Sequence, residues 1–245
     1  MTTRRWIAAV ASLLLPLSAQ AQTPDPEAKW TLPVSGRLNG AKAAIESKPC
    51  CTASSGAPVH QSDAAALSTA AGLASRIGPV LSLKLADSRV LTLTDCLERS
   101  GCLADDVHMH RLVAWWPTQQ IFVLSVGMYE GGVGYLVSAR TGRTLTTTAP
   151  AVLSPSGQFA IALTSNLMAG MELELIDLRP DPPTLAKITS VPECKGFGPD
   201  TFLRPTPVWI DGSHVRFEGV SPQPDDKPDT KQLLRIVDGK AVWEC

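Results

Sequence analysis

Apolar and polar residues alternate with a period of two through most of the chain beyond Pro79. Val80-Leu81-Ser82-Leu83-Lys84-Leu85 and Val90-Leu91-Thr92-Leu93 flank an Asp87-Ser88 turn, a pattern that predicts a hairpin. Ile121 to Val126 and Tyr135 to Ser138 flank Glu130-Gly131-Gly132 and predict a second. Thr141-Gly142 turns into a β-branched strand, Thr144 to Thr148, and Phe159 to Leu163 pairs with Met171 to Leu178. Val208 to Ile210, Val215 to Glu218, Gln232 to Val237 and Ala241 to Glu244 complete the strands, with Asp211-Gly212 and Asp238-Gly239 as hairpin turns. Prolines crowd 180–183, 192–207 and 222–228, where loops are expected. Before Pro79 the period is helical. Asp63 is placed to cap a helix, Leu67, Ala70, Ala71, Ala74 and Ile77 share one face, and Gly78-Pro79 ends it. Glu172 and Glu174 alternate with Met171, Leu173 and Leu175, and so read as the wet face of their strand rather than a pair of catalytic carboxylates.

The strands recur in units. Pro117-Thr118-Gln119-Gln120-Ile121-Phe122-Val123 resembles Pro155-Ser156-Gly157-Gln158-Phe159-Ala160-Ile161, and Ile210-Asp211-Gly212-Ser213-His214-Val215 repeats the turn-then-strand logic. A unit of about 40 residues with strands and tight turns matches a propeller blade. Leu153-Ser154-Pro155-Ser156-Gly157-Gln158-Phe159-Ala160, then Ser165-Asn166, then Glu172 to Leu178, resembles the TolB-type, WD40-like β-propeller repeat. That family carries a Ser-Pro-Asp-Gly turn, an apolar strand, a Ser-Asn turn and a strand ending in Asp-Leu. Ser156 stands here where Asp is usual, and residues 117–150 and 208–245 match more loosely. The resemblance implies a mainly β fold, a propeller-like array of antiparallel hairpins with one N-terminal helix. The strand-rich region supplies at most four blades, so the array is a small or incomplete propeller, with a β-sandwich as the alternative. The stretch from Tyr129 through Pro155 is also similar to exported bacterial proteins without an assigned activity.

The first residues change the picture from fold to compartment. Arg4 and Arg5 precede a short apolar run, Trp6 to Leu17, and Ala19-Gln20-Ala21 offers the small residues that a signal peptidase reads. The expected organisation is a signal peptide over 1–21, an extended Pro/Gly/Ser/Ala-rich arm over 22–60, a helix over 61–78 and a disulfide-stapled β-repeat domain over 79–245. Cleavage after Ala21 places the product in the periplasm or medium, with no membrane span left. The formal net charge of −1 shows none of the basic excess expected of a nucleic-acid binder.

Six cysteines follow the cleavage site, an even count that reads as disulfides in an exported chain. Cys96 and Cys102 bracket a short loop that Gly101 can turn. Cys194 with Cys245 pins the terminus and closes a long loop, worth up to roughly 4 kcal/mol. Cys50 and Cys51 remain unassigned. A bond between neighbours is strained and reducible, which suits redox or metal chemistry, and exchange with other cysteines is the plainer option.

No nucleophile elbow, zincin or phosphate-loop motif occurs. His108 and His110 share one face of a strand, and Asp106 lies just upstream, a set able to hold zinc, copper or iron. The plainer reading is a polar strand end. Trp115 and Trp116 point oppositely on a strand, and an exposed one beside Tyr129 and Glu130 would make a binding platform. Packed tryptophans and a solvated turn are the plainer reading. The sequence calls for no cofactor. It points to an exported non-enzymatic module that binds a protein, envelope component or ligand. The alternative is a metal-binding or redox protein using His108/His110 and Cys50/Cys51. Non-reducing peptide mapping is expected to recover Cys96 joined to Cys102 and Cys194 joined to Cys245; alkylation of any of the four without prior reduction overturns these pairs.

Overall fold

The computed structural model describes residues 30–33, 36–38, 63–96, 108–128, 131–166, 170–188, 202–203, 207–220 and 231–244. These form four antiparallel sheets that follow one another along the chain. The first orders β1 (Gly36–Leu38), β4 (Val90–Thr94), β3 (Val80–Lys84) and β2 (Ala74–Ile77). The second is the meander β5 (His108–Trp116), β6 (Ile121–Met128), β7 (Gly131–Ser138) and β8 (Thr144–Thr147). The third is a like meander of β9 (Val152–Leu153), β10 (Phe159–Asn166), β11 (Gly170–Asp177) and β12 (Thr184–Ile188). The fourth runs β13 (Phe202–Leu203), β15 (His214–Val220), β16 (Lys231–Val237) and β17 (Lys240–Glu244), with β14 (Val208–Trp209) also on β15. The hairpins read from the sequence are all present, and Asp238 and Gly239 take the positive φ values that their turn requires.

Sheet packs on sheet through three apolar layers. Leu81, Leu83, Leu91 and Leu93 of the first sheet meet Leu112, Phe122, Leu124 and Val137 of the second. Ile121, Val123, Leu136 and Leu145, on the other face of the second, meet Ala160, Ala162, Ile176 and Leu185 of the third. Phe159, Ile161, Leu163 and Leu175 of the third meet Val215, Phe217 and Leu234 of the fourth. The two middle sheets are therefore covered on both faces. This is why β6 and β10 open with unbroken apolar runs, whereas β3 and β4 alternate. Each fully buried Leu or Phe contributes about 1.5–3 kcal/mol relative to exposure. Small side chains on β10, Ala160 and Ala162, face bulky ones on the second sheet, so the layer fills without strain.

A register shift between Leu112 and Ala114 inserts one extra residue into β5. The bulge reverses the parity of the remaining strand positions. Trp115 turns toward the first sheet and Trp116 toward the third, where it is buried.

The arm also takes part. Thr31 pairs with Thr144 through two backbone hydrogen bonds of 3.0 and 2.6 Å. The indole Nε1 of Trp30 donates to Pro183 O at 3.1 Å, and β1 adds to the edge of the first sheet beside β4. Three sheets are thus laced by one stretch.

Two expectations are corrected. The predicted helix over 61–78 shortens to α1 (Ala64–Thr69), and Ala74–Ile77 is strand β2. Gly72, at φ 78°, breaks the helix, and pairing of Ala74 and Arg76 with Leu83 and Leu81 outweighs the helix propensity of the alanines. Asp63 stands at the N-cap position without a side-chain cap bond. Glu174 is the second correction. It is only 4% exposed, because its face of β11 covers the second sheet. Its Oε2 accepts the Thr148 N–H at 2.7 Å. Burial pushes its carboxyl above the ordinary range, opposed in part by that hydrogen bond and by Lys187.

A raised folded-state pKa means stability that is complete below the ordinary glutamate range and lost as pH rises through the folded value. Glu174→Gln is therefore expected to raise Tm at neutral pH, with the gain vanishing below pH ~4. Thermal melts of both forms across pH 3.5–8 check this; a gain independent of pH would contradict it.

Candidate functional site

The turns that the sequence repeats meet at one end of the sheets. Gln119 Nε2, between β5 and β6, donates to Gly157 O at 2.7 Å, between β9 and β10. Ser156 Oγ donates to Gly212 O at 3.3 Å, between β14 and β15. The corresponding turns of the three repeats are thus joined in series, Gln119 and Gly157 at equivalent positions and Ser156 and Gly212 one position out of step. Gly157 is required twice over: it sits at φ 69°, and a Cβ there would lie 2.7 Å from Gln119 Nε2. Asp211 fixes the third turn by accepting the Ser213 N–H at 2.7 Å and the His214 N–H at 2.8 Å. These bonds hold its carboxyl well below the usual carboxylate range.

Between the second and third sheets, at this same end, lies a cleft of about 870 Å³. Ile121, Leu178 and Trp30 give it apolar walls, and Gln119, Gln158 and Thr118 bring polar groups. Its charged groups come from two connections. The β7–β8 turn carries Arg140 and Arg143 on either side of Thr141-Gly142. That turn is closed by hydrogen bonds: Gly142, at φ 72°, donates its N–H to Ser138 O at 2.8 Å, and Arg143 N donates to Thr141 Oγ1 at 3.2 Å. The β11–β12 connection carries Arg179 and Asp181. Arg140 pairs with Asp181 at 3.0 Å, both exposed. Arg179 grips Asp177 through Nε at 2.9 Å and Nη2 at 2.6 Å and lies over the Phe159 ring. The Arg179 hydrogen bonds hold Asp177 below the usual carboxylate range. Arg143 is exposed, and its guanidinium has no ion pair among the described residues.

The histidine pair lies at the opposite end of β5. His108 and His110 share a strand face as expected, with ring centroids 5.6 Å apart. His110 is buried, and Asp95 Oδ1 accepts its backbone N–H at 2.7 Å and lies 3.1 Å from its Nδ1. Arg76 completes the cluster. Its Nε reaches Asp63 Oδ2 at 2.7 Å, its Nη1 reaches Asp95 Oδ2 at 3.0 Å, and its Nη2 donates to His110 O. All four side chains are buried, so the cluster ties α1 and the first sheet to β5. Among the described residues no three His, Cys, Asp or Glu side chains are grouped for a metal.

Of the other expected site residues, Trp116 is buried in the core, and Trp115 is half-buried and stacks on Phe122 with centroids 4.4 Å apart. Asp106, Tyr129, Glu130, Cys50, Cys51, Cys102, Cys194, Cys245 and the segment 1–21 lie outside the described residues. Cys96 is disulfide-bonded, and its backbone pairs with His108 where the chain passes from the first sheet to the second. The sequence reading missed Trp30, Arg140, Arg143 and Arg179. The available signal was Ala139-Arg140-Thr141-Gly142-Arg143, a turn with a cation on each side of its glycine.

No family model, curated protein or solved structure matches the chain.

Removing one member of a buried ion cluster strands the others, at about 3–5 kcal/mol. Arg76→Met is expected to cost that much in denaturant unfolding, against less than about 1 kcal/mol for Arg235→Met at the exposed Arg235–Glu244 pair. Equal losses at the two sites would refute a structural role for the cluster.

Proposed function

We propose that this is an exported, non-enzymatic β-repeat protein that serves the periplasm as an interaction or ligand-binding module. In this reading the four sheets are blades of a propeller-like array, as the likeness to TolB-type, WD40-like repeats implies. Chain-ordered sheets and serially bonded turns support that view. The observation that carries the functional reading is the cleft between the second and third sheets. At about 870 Å³ it matches the size of small-ligand sites, and it combines apolar walls with a few convergent polar groups. A scaffold of packed sheets that presents polar turn residues at one end suits binding. The bound species is a small ligand or the side chains of a protein or envelope component.

A photoreactive residue at Thr141, which lines the cleft, is expected to give a discrete cross-linked species in cells that express the full chain. The same group at Arg111, exposed on β5 and away from the cleft, serves as the control. If Thr141 gives no adduct beyond that of Arg111, the cleft is not the binding site and this reading falls.

A further inference from the structure

A second opening of about 640 Å³ adjoins the cleft and shares Trp30, Arg140, Thr141 and Arg143 with it. It adds Arg89, which is held by Asp87 at 2.6 Å. Four arginines therefore surround Trp30. Arg89, Arg140 and Arg179 each have a carboxylate partner, while Arg143 has none among the described residues and faces both openings. At the two openings four arginines meet three partner carboxylates, a local excess of one positive charge in a chain whose net charge is −1. A low-dielectric wall beside a cation strengthens its pull on an anion. The Arg140–Asp181 pair is exposed, so its guanidinium can be recruited at little cost. The hydrogen-bonded 138–143 turn carries both arginines on one short segment that lines both openings, and a guanidinium suits carboxylate or phosphate oxygens.

We propose that the cleft binds an organic anion. Its carboxylate or phosphate group is held by Arg140 and Arg143, and its uncharged body lies against Trp30, Ile121 and Leu178. This rests on the ligand-binding reading of the cleft and names the class of ligand.

The test titrates the full mature chain with 2-naphthoate, 2-naphthyl phosphate and neutral 2-naphthol. Binding is read by calorimetry and by amide shifts at Thr141, Gly142 and Gly157. At least one anion is expected to bind and move those amides, and the tighter of the two identifies carboxylate or phosphate as the preferred head. R140Q/R143Q is expected to weaken anion binding about tenfold or more, as loss of charge-assisted hydrogen bonds implies. R111Q, with one charge removed on exposed β5, should leave it unchanged. If naphthol binds as well as the anions and R140Q/R143Q changes nothing, the anion assignment falls while the cleft stands as a ligand site. An equal loss in R111Q would reduce the effect to general surface charge and overturn the proposal. Silence from all three compounds overturns it too, and the cross-linking at Thr141 then decides the broader reading by itself.

Discussion

A sheet covered on both faces has nowhere to place polar side chains except at its ends. The second and third sheets carry this constraint, and much of the structure results from it. β6 and β10 lose their alternation, and alanines on β10 give way to large residues opposite. Alternation along β5 gives two adjacent tryptophans to two different layers, and the bulge sets which of them faces which sheet. Glu174, the acid admitted to such a face, sits where a backbone N–H meets it. Other charged groups sit on strand positions left open to solvent, such as Arg111 of β5 and Lys187 of β12, and in the turns, and the cleft is the place where turns of the two middle sheets face each other.

The chain uses arginine in two opposite ways. Arg76 is buried at its side chain and engaged through all three nitrogens by two carboxylates and a carbonyl, so it joins elements. The arginines around Trp30 stand at the surface on turns held by their own hydroxyl and backbone hydrogen bonds. The same side chain is cement at one end of β5 and a potential contact at the other. Burial and saturation make the difference.

Strands and turns were legible because alternation and Asp-Gly or Ser-Gly turns depend on local geometry. The repeat offset between Gln119 and Gly157 was also legible, and the two residues prove to be hydrogen-bonded. Three features were not. The alanine-rich stretch before Arg76 favours helix locally, and only pairing with Leu81 and Leu83 makes part of it a strand. Glu174 alternates like a wet-face residue, and nothing in β11 alone announces a second sheet above it. Nothing in the Thr141-Gly142 turn singled out Arg140 and Arg143, because their meeting with Arg179 depends on how two sheets pack. His108 and His110 were correctly placed on one face, yet the Asp95 and Arg76 partners of His110 come from other elements.

The lacing arm bears on the order in which the molecule assembles. Trp30 is bonded to a carbonyl 153 positions later in the chain, and Thr31 to Thr144. A chain delivered from its N-terminus presents these residues before any of their partners exist. Closing so long a loop costs entropy that only finished sheets can repay. The arm, although it precedes its partners in the chain, therefore docks late, after the second and third sheets have formed. Until then the wall that Trp30 supplies is missing, so the cleft is complete only once the arm has joined the second and third sheets.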